Sequence, residues 1–235
     1  MKNNKIYTYG CSFSFPFWIE ENESYTHILS ELLGCDYINK SFPALCHNET
    51  YHRLLSDINE LKKNDLIIYQ FTSGNREGFM MDNHSFYYSS AGIADTIEET
   101  VETMNKWGGG RSKYPMTDEQ ILSLMGYIND WGEHTLFYKY NRVNKLLTHL
   151  EKTIGIKFVY LFLDSNFHSF IDNNTILFPD GNSTTPSILK WVSDNKLALS
   201  DYRNDVHPLD KHPNHFAHKI IGGKIFEHLK EKNWI

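Results

Sequence analysis

Two runs that consist mostly of apolar and aromatic residues constrain the fold more than any other feature of this chain. They are residues 65–71 (DLIIYQF) and residues 157–163 (KFVYLFL). A strand that is apolar along both of its faces is typical of a parallel sheet that helices cover on both sides. The two runs therefore predict an α/β fold with a buried central sheet.

Shorter strand and helix patterns alternate along the rest of the chain. Two further strands are predicted at residues 6–9 and 36–39. Apolar residues at helical spacing predict helices over residues 25–33, 49–61, 137–154 and 214–229. This alternation favours a three-layer α/β/α domain whose mostly parallel sheet has about four or five strands.

Residues 80–133 interrupt the alternation. Two helical stretches, residues 93–107 and 117–131, flank three consecutive glycines at positions 108–110. The segment lengthens one strand-to-helix connection far beyond the usual few residues. A chain of 235 residues suits one domain, so we predict a single domain over residues 1–235 with a helical insertion at about 80–133. The insertion is expected to cap the active-site end of the sheet or to form a contact between copies of the chain in a homo-oligomer.

The charge of the chain excludes some classes of partner. Its net charge is −6, whereas proteins that bind nucleic acid through the phosphates carry clustered lysine and arginine. There is no long basic run that would attach to a membrane surface, and no window approaches the roughly 18 apolar residues of a membrane span. Neither nucleic acid nor a membrane is therefore expected as a partner.

Cysteine usage bears on the compartment. The three cysteines, Cys11, Cys35 and Cys46, show no metal-ligand spacing and leave an odd thiol. Such usage suits a reducing compartment better than a disulfide framework. No apolar leader follows Met1, so a cytoplasmic location is expected. Later release by lysis or by assembly into a virion stays open.

Two short polar blocks lie where an α/β fold places functional residues. Gly10-Cys11-Ser12 follows the first predicted strand, and Asp210-Lys211-His212 precedes the last predicted helix. Functional groups of such folds gather at the carboxyl ends of the strands. A serine nucleophile needs a base that takes its proton and a carboxylate that orients the base. Each block alone has a simpler interpretation, as a tight turn and as a polar helix start.

Taken together, the two blocks resemble the SGNH (GDSL-type) hydrolase superfamily. Its first block, usually Gly-Asp-Ser, is similar to Gly10-Cys11-Ser12-Phe13, and its last block is similar to residues 210–214 (DKHPN) followed by Ala217-His218. The resemblance implies a flavodoxin-like α/β/α fold and an esterase that requires no cofactor. It implies Ser12 as the nucleophile, His212 as the base and Asp210 as its orienting acid. A small acyl group on a carbohydrate is the implied kind of substrate.

The middle blocks of the superfamily match less closely and concern the oxyanion hole. The second block normally offers a glycine N–H, and Ala44 stands near that position. We therefore expect the N–H groups of Ser12 and Ala44 to hold the oxyanion. The third block normally offers an asparagine, for which Thr72 and Asn75 are the two alternatives.

Two polar residues beside the middle blocks, Asn48 and Arg76, are predicted to contact the substrate. For Arg76 a structural ion pair is the other interpretation. Sequence position does not decide between them.

Other residues compete for the catalytic roles. Cys11 is interpreted as core packing, since buried cysteine usually has that role, and Ser14 lies one step too far from the end of the strand. Asp205 and His207 repeat the Asp-x-His-Pro pattern, but the asparagine and helix pattern that follow His212 are missing there. We therefore rank this pair second.

Two functions of other classes are the alternatives. One alternative is a metal site, because four histidines lie within twelve residues: His207, His212, His215 and His218. No acidic or cysteine cluster completes such a site, so no metal is predicted. The altered middle blocks favour a second alternative, a non-catalytic carbohydrate-binding or structural module, for example a virion component, that keeps the same fold.

Overall fold

A central sheet of four parallel strands organises the protein, for which a computed structural model is described. The structure describes residues 4–16, 18–43, 45–72, 76–81, 84–89, 133–164, 169–180, 183–206 and 210–235. Its strands are β1 (Lys5–Tyr9), β2 (Asp36–Asn39), β3 (Leu66–Phe71), β4 (Arg76–Met81), β5 (His84–Ser89), β6 (Lys157–Phe162), β7 (Phe178–Asp180) and β8 (Ser183–Thr185). The central sheet has the order β2-β1-β3-β6, which confirms the predicted α/β class.

Of the two apolar runs, β3 is an inner strand of this sheet and β6 is its last strand. All six residues of β3 are buried, and β3 pairs in parallel register with β1 on one side and β6 on the other. Because β1 and β3 are adjacent, their carboxyl ends lie side by side, with Tyr9 opposite Tyr69. The sheet thus brings the residue after Tyr9 and the residue after Phe71 to the same edge.

Six helices of the described residues surround the sheet. They are α1 (Tyr25–Leu33), α2 (His47–Asp57), α3 (Glu133–Thr153), α4 (Ile188–Asp194), α5 (Leu199–Tyr202) and α6 (His215–Glu231). Helix α1 has the predicted bounds because both ends carry local signals: Ser24 accepts a hydrogen bond from the His27 N–H, and Gly34 adopts φ 63°. Helix α2 begins before the predicted residue 49 and continues into a short 3-10 turn, Ile58–Glu60.

Two distinct cores lie on the two faces of the sheet. One core is largely aliphatic and receives α1, α4 and α6, with Leu29, Val192 and Ile221 as members. The other core is rich in tyrosine and phenylalanine and receives α2 and α3, with Tyr140 and Phe162 as members. The three layers are therefore helices, sheet and helices, as predicted.

One connection contains a hairpin that the sequence pattern did not predict. Strands β4 and β5 form an antiparallel hairpin at the beginning of the segment predicted to be a helical insertion. The two helices predicted within residues 93–131, and the three glycines between them, lie outside the described residues.

The edge of the sheet beyond β6 is covered by an irregular segment rather than by a full strand. Thr175 forms a parallel bridge with Tyr160, and Ser187 forms one with Phe162. The N–H of Ile176 donates to the Tyr160 carbonyl over 3.0 Å. Within the described part of the chain, none of the helices has the length and apolar character to cross a membrane.

Candidate active site

The residue predicted as the nucleophile lies on a tight turn directly after β1. The N–H groups of Ser14 and Phe15 both donate to the Cys11 carbonyl over 3.0 Å. This turn presents Ser12 at the carboxyl edge of the sheet, where its residue surface is 8 % exposed. A hydroxyl in this position can reach a substrate while remaining partly shielded from water.

The second block lies on the loop that leads into α6. Backbone pairing holds this loop: the Leu199 N–H donates to the His212 carbonyl over 2.8 Å, and the Asn214 N–H donates to the Leu197 carbonyl over 2.9 Å. The Asn214 side chain then caps α6 by accepting a hydrogen bond from the Ala217 N–H. The loop therefore ends in a fixed helix start, two residues after His212.

The structure brings the three predicted catalytic side chains together. Ser12 Oγ lies 2.7 Å from His212 Nε2, and His212 Nδ1 lies 2.8 Å from Asp210 Oδ1. The same carboxylate oxygen accepts the backbone N–H of His212 over 2.8 Å. Ser12 and His212 are 200 positions apart in the chain, so the contact is a product of the tertiary fold.

This geometry defines the roles that the imidazole of His212 can take. An ionised Asp210 accepts a hydrogen bond from the Nδ1–H group, which leaves the Nε2 lone pair free to accept the Ser12 hydroxyl proton. The Phe13 ring, 4.9 Å from the His212 ring between centroids, packs against the imidazole. Two short contacts thus link the serine, histidine and aspartate side chains in one line.

The rival nucleophiles lie in buried contacts. Cys11 is fully buried in the aliphatic core. Ser14 is also fully buried, and its hydroxyl donates to Gln70 Oε1 over 2.6 Å. In the rival dyad Asp205 forms an ion pair with Arg203, and His207 lies outside the described residues.

Three histidines of the predicted cluster, His212, His215 and His218, lie within the described residues. The His218 ring is buried against Tyr25, and its Nδ1 accepts the Tyr25 backbone N–H over 3.2 Å. Burial, with the nearby His212 and His215, lowers the pKa of His218 to about 3, so the ring is neutral. Among the described residues no group of three or more histidine, cysteine or acidic side chains has a metal-binding arrangement.

The predicted oxyanion-hole residues are only partly described. Ala44 and Asn75 lie outside the described residues. Thr72 follows β3 directly; its side chain is fully buried, and its Oγ1 has no hydrogen-bond partner within the described ranges. The Thr72 carbonyl lies 3.1 Å from His47 Nε2, a buried histidine that the sequence patterns did not single out.

The two residues predicted to contact substrate are placed as follows. Asn48 lies in the first turn of α2, and its Oδ1 accepts a hydrogen bond from Arg142 Nη2 over 2.9 Å. Arg76 is the first residue of β4, and its side chain lies outside the described part of the structure.

Sequence reasoning also missed Gln70, although a glutamine inside an apolar strand is a signal in itself.

Two solved structures are similar to the chain over almost its whole length. One, from Desulfitobacterium hafniense DCB-2, is provisionally named a lipolytic protein of the G-D-S-L family; it shares 15% identity, the match covers 97% of this chain and 100% of that chain, and the TM-score is 0.42. Another, from Veillonella parvula DSM 2008, is named a member of the lipolytic protein G-D-S-L family, with 11% identity, coverage of 95% and 96%, and a TM-score of 0.35. No protein-family model and no curated protein matches the sequence.

The fold and the site define an α/β protein with a serine, a histidine and an aspartate in line at the carboxyl edge of a parallel sheet. The chain resembles the SGNH (GDSL-type) superfamily in its two sequence blocks.

Proposed function

We propose that the chain is a serine hydrolase of the SGNH (GDSL) type that cleaves esters. The observation that carries the proposal is the line of two short hydrogen bonds, 2.7 Å from Ser12 to His212 and 2.8 Å from His212 to Asp210. A serine hydroxyl is a weak nucleophile unless an adjacent base accepts its proton. This line supplies the base and the acid that orients it.

The proposed reaction has two halves. His212 Nε2 accepts the Ser12 hydroxyl proton as Ser12 Oγ attacks the ester carbonyl, and the imidazolium then gives that proton to the departing alcohol. In the second half His212 Nε2 takes a proton from water as the water attacks the acyl-Ser12 ester. The imidazolium then returns this proton to Ser12 Oγ as the acid is released. Asp210 stays ionised throughout and stabilises the imidazolium.

The oxyanion that forms on the carbonyl needs donors close to Ser12. We propose the backbone N–H groups of Ser12 and Ala44, with either Thr72 or Asn75 as a third donor. The buried Thr72 Oγ1, which has no partner among the described residues, supports Thr72. Such a group is costly unless a ligand or another part of the chain completes it.

A carbohydrate ester is the substrate class that we propose. Exposed aromatic rings lie in the segments on both sides of the site and support it. Phe42 is on the nucleophile side, where its N–H donates to the Gly10 carbonyl. Tyr202 and Phe216 are near the His212 loop, with ring centroids 5.8 Å apart in an edge-to-face pair. Aromatic side chains of this kind line sites for small-molecule ligands. Asn48 and Arg76 stay proposed substrate contacts.

The test is labelling with a fluorophosphonate probe together with hydrolysis of p-nitrophenyl acetate. Wild-type protein is expected to react at Ser12, identified by mass spectrometry of the labelled peptide, which also separates Ser12 from Cys11. The Ser12→Ala variant is expected to lose labelling and to lose turnover by about 10³-fold or more.

The matched control is Ser56→Ala, because Ser56 is an exposed serine in α2 whose hydroxyl donates to the Arg53 carbonyl of the same helix. This variant is expected to behave as wild type. Absence of labelling and of turnover in folded wild-type protein would contradict the hydrolase and favour the non-catalytic binding module.

A further inference from the structure

Gln70 is a polar residue in the middle of the sheet. It is the fifth residue of β3 and is fully buried. Its Oε1 accepts the backbone N–H of Cys11 over 3.2 Å and the hydroxyl of Ser14 over 2.6 Å. Because a backbone N–H can only donate, the amide oxygen, and not the nitrogen, must face the turn. One side-chain atom therefore holds both sides of the turn that carries Ser12.

The turn rests directly on this side chain. A Cβ placed on Gly10 would lie 2.5 Å from Gln70 Oε1 and 2.8 Å from Ser14 Oγ. Both distances are shorter than a van der Waals contact, so the backbone approaches Gln70 more closely than any residue with a side chain allows. Gln70 therefore contacts the turn at Gly10, Cys11 and Ser14.

The hydrogen bonds continue from Ser14 into α1 and α6. Tyr25 Oη donates to Ser14 Oγ over 2.6 Å, and the Ser14 hydroxyl donates in turn to Gln70 Oε1. Burial raises the pKa of Tyr25, so the phenol remains a donor. The Tyr25 ring stacks on His218 with 5.7 Å between centroids, and its backbone N–H donates to His218.

This series of hydrogen bonds joins the two halves of the site. His218 lies in the first turns of α6, the helix whose start follows His212 by two residues. The nucleophile turn and the acid–base loop are thus both tied to Tyr25, one through Ser14 and the other through His218. A displacement of about 1 Å in such a site can lower a rate about 100-fold.

We propose that Gln70 is the positioning residue of the nucleophile, acting through Ser14 and Tyr25 to hold Ser12 in line with His212. Its effect on the rate rests on the proposed hydrolase function. Gln70 touches no reacting atom, so its contribution lies in the distance and angle between Ser12 Oγ and His212 Nε2.

Two pairs of variants test the proposal. Gln70→Met keeps the length of the side chain and removes the acceptor, whereas Gln70→Glu keeps an acceptor oxygen in the same place. Tyr25→Phe removes only the hydroxyl that donates to Ser14, and Tyr37→Phe is its control, because the Tyr37 hydroxyl contacts exposed Glu21 instead.

For p-nitrophenyl acetate we expect kcat to fall about 10-fold or more in Gln70→Met and Tyr25→Phe with KM changed less than about twofold. Gln70→Glu is expected to recover part of that loss, and Tyr37→Phe to match wild type. Unchanged kcat in Tyr25→Phe, whatever its melting temperature, would overturn the proposal, and this isosteric variant decides the matter if Gln70→Met does not fold.

Crystal structures of the same variants give a readout that does not need activity. The separation of Ser12 Oγ and His212 Nε2 is expected to exceed about 3.5 Å in Tyr25→Phe and to stay short in Tyr37→Phe. A preserved 2.7 Å contact in Tyr25→Phe would refute the positioning role. Failure of wild-type protein to react with the fluorophosphonate would instead refute the hydrolase, and the distances would still decide the role of Gln70.

Discussion

The two halves of the candidate site are held in different ways. The nucleophile turn is held by buried side chains, with Gln70 and Ser14 at its centre. The loop of Asp210 and His212 is held mainly by backbone pairing with residues 197–199. Side chains specify a turn through their identity, whereas backbone bonds form with almost any residue. The first half should therefore be sensitive to substitution of its supports, and the second half only to substitution of its functional groups.

The halves also differ in their access to water. Ser12 is 8 % exposed, whereas the side chains of Asp210 and His212 are 13% and 24% exposed. His212 becomes charged in the proposed reaction, and partial hydration lowers the cost of that charge. The rigid half thus carries the group that must be aligned, and the more open half carries the group that must change charge.

The largest effect on the open half is expected from Asp210→Asn. The amide can donate to His212 Nδ1, which places the imidazole proton on Nε2, where it cannot accept the Ser12 proton. We expect kcat to fall about 10³-fold with little change in melting temperature. The control is Asp194→Asn, which removes only an exposed ion pair with Lys190. A loss of less than about tenfold would contradict the role of Asp210 as orienting acid.

An intermediate effect is expected where the two halves meet, at His218. Its pKa is about 3 in the folded state, against 6.5 for the free side chain. Below pH 6.5 the unfolded chain takes up a proton that the folded ring does not. The contribution of His218 to the unfolding free energy is therefore fully present above pH 6.5 and is lost as the pH falls toward 3. This loss amounts to about 1.4 kcal/mol per pH unit.

Urea unfolding at pH 7 and pH 5 measures this pH-dependent loss of unfolding free energy. We expect the loss of unfolding free energy between pH 7 and pH 5 to be about 2 kcal/mol smaller in His218→Gln than in wild type. His149→Gln is the control, because His149 is an exposed residue of α3. Equal pH dependence in wild type and His218→Gln would show that His218 does not differ in protonation between the two states.

The smallest effect is expected from Ser200→Ala. The Ser200 hydroxyl donates to the Asp210 carbonyl over 2.6 Å, but the backbone pairing of the loop remains without it. We expect a loss of about 1 kcal/mol in unfolding free energy and a kcat within about threefold of wild type. Ser14→Ala is the matched change in the nucleophile half and should lower kcat about 10-fold. Equal kinetic losses in the two variants would remove the contrast between the halves.

Local signals explain which parts of the fold could be predicted. Helix α1 and strand β2 have the predicted bounds, and β3 and β6 lie within one residue of them. Strands that are apolar on both faces, and caps such as Ser24 and Gly34, act over a few residues and are visible in the sequence. The hairpin of β4 and β5 has no such signal. Its strands are defined by their pairing with each other, and neither strand shows a periodic apolar pattern in the sequence.

The site shows the same division. Ser12, Asp210 and His212 could be named because each lies in a short block at the end of a predicted element. Gln70 was missed because its partners, Cys11 and Ser14, are 59 and 56 positions away. Only the parallel pairing of β1 with β3 brings these residues together, and such a contact leaves no local pattern.

The close approach at Gly10 links positions 10 and 70 in evolution as well as in the structure. No side chain fits at position 10 while any residue other than glycine occupies position 70, because a Cβ on Gly10 would lie 2.5 Å from Gln70 Oε1 and 2.8 Å from Gln70 Cβ. Replacement of either residue alone is expected to disturb the turn, so descendants of this sequence should either keep glycine and glutamine as a pair or exchange both. Covariation between positions 10 and 70 would then trace which lineages kept this way of supporting the nucleophile.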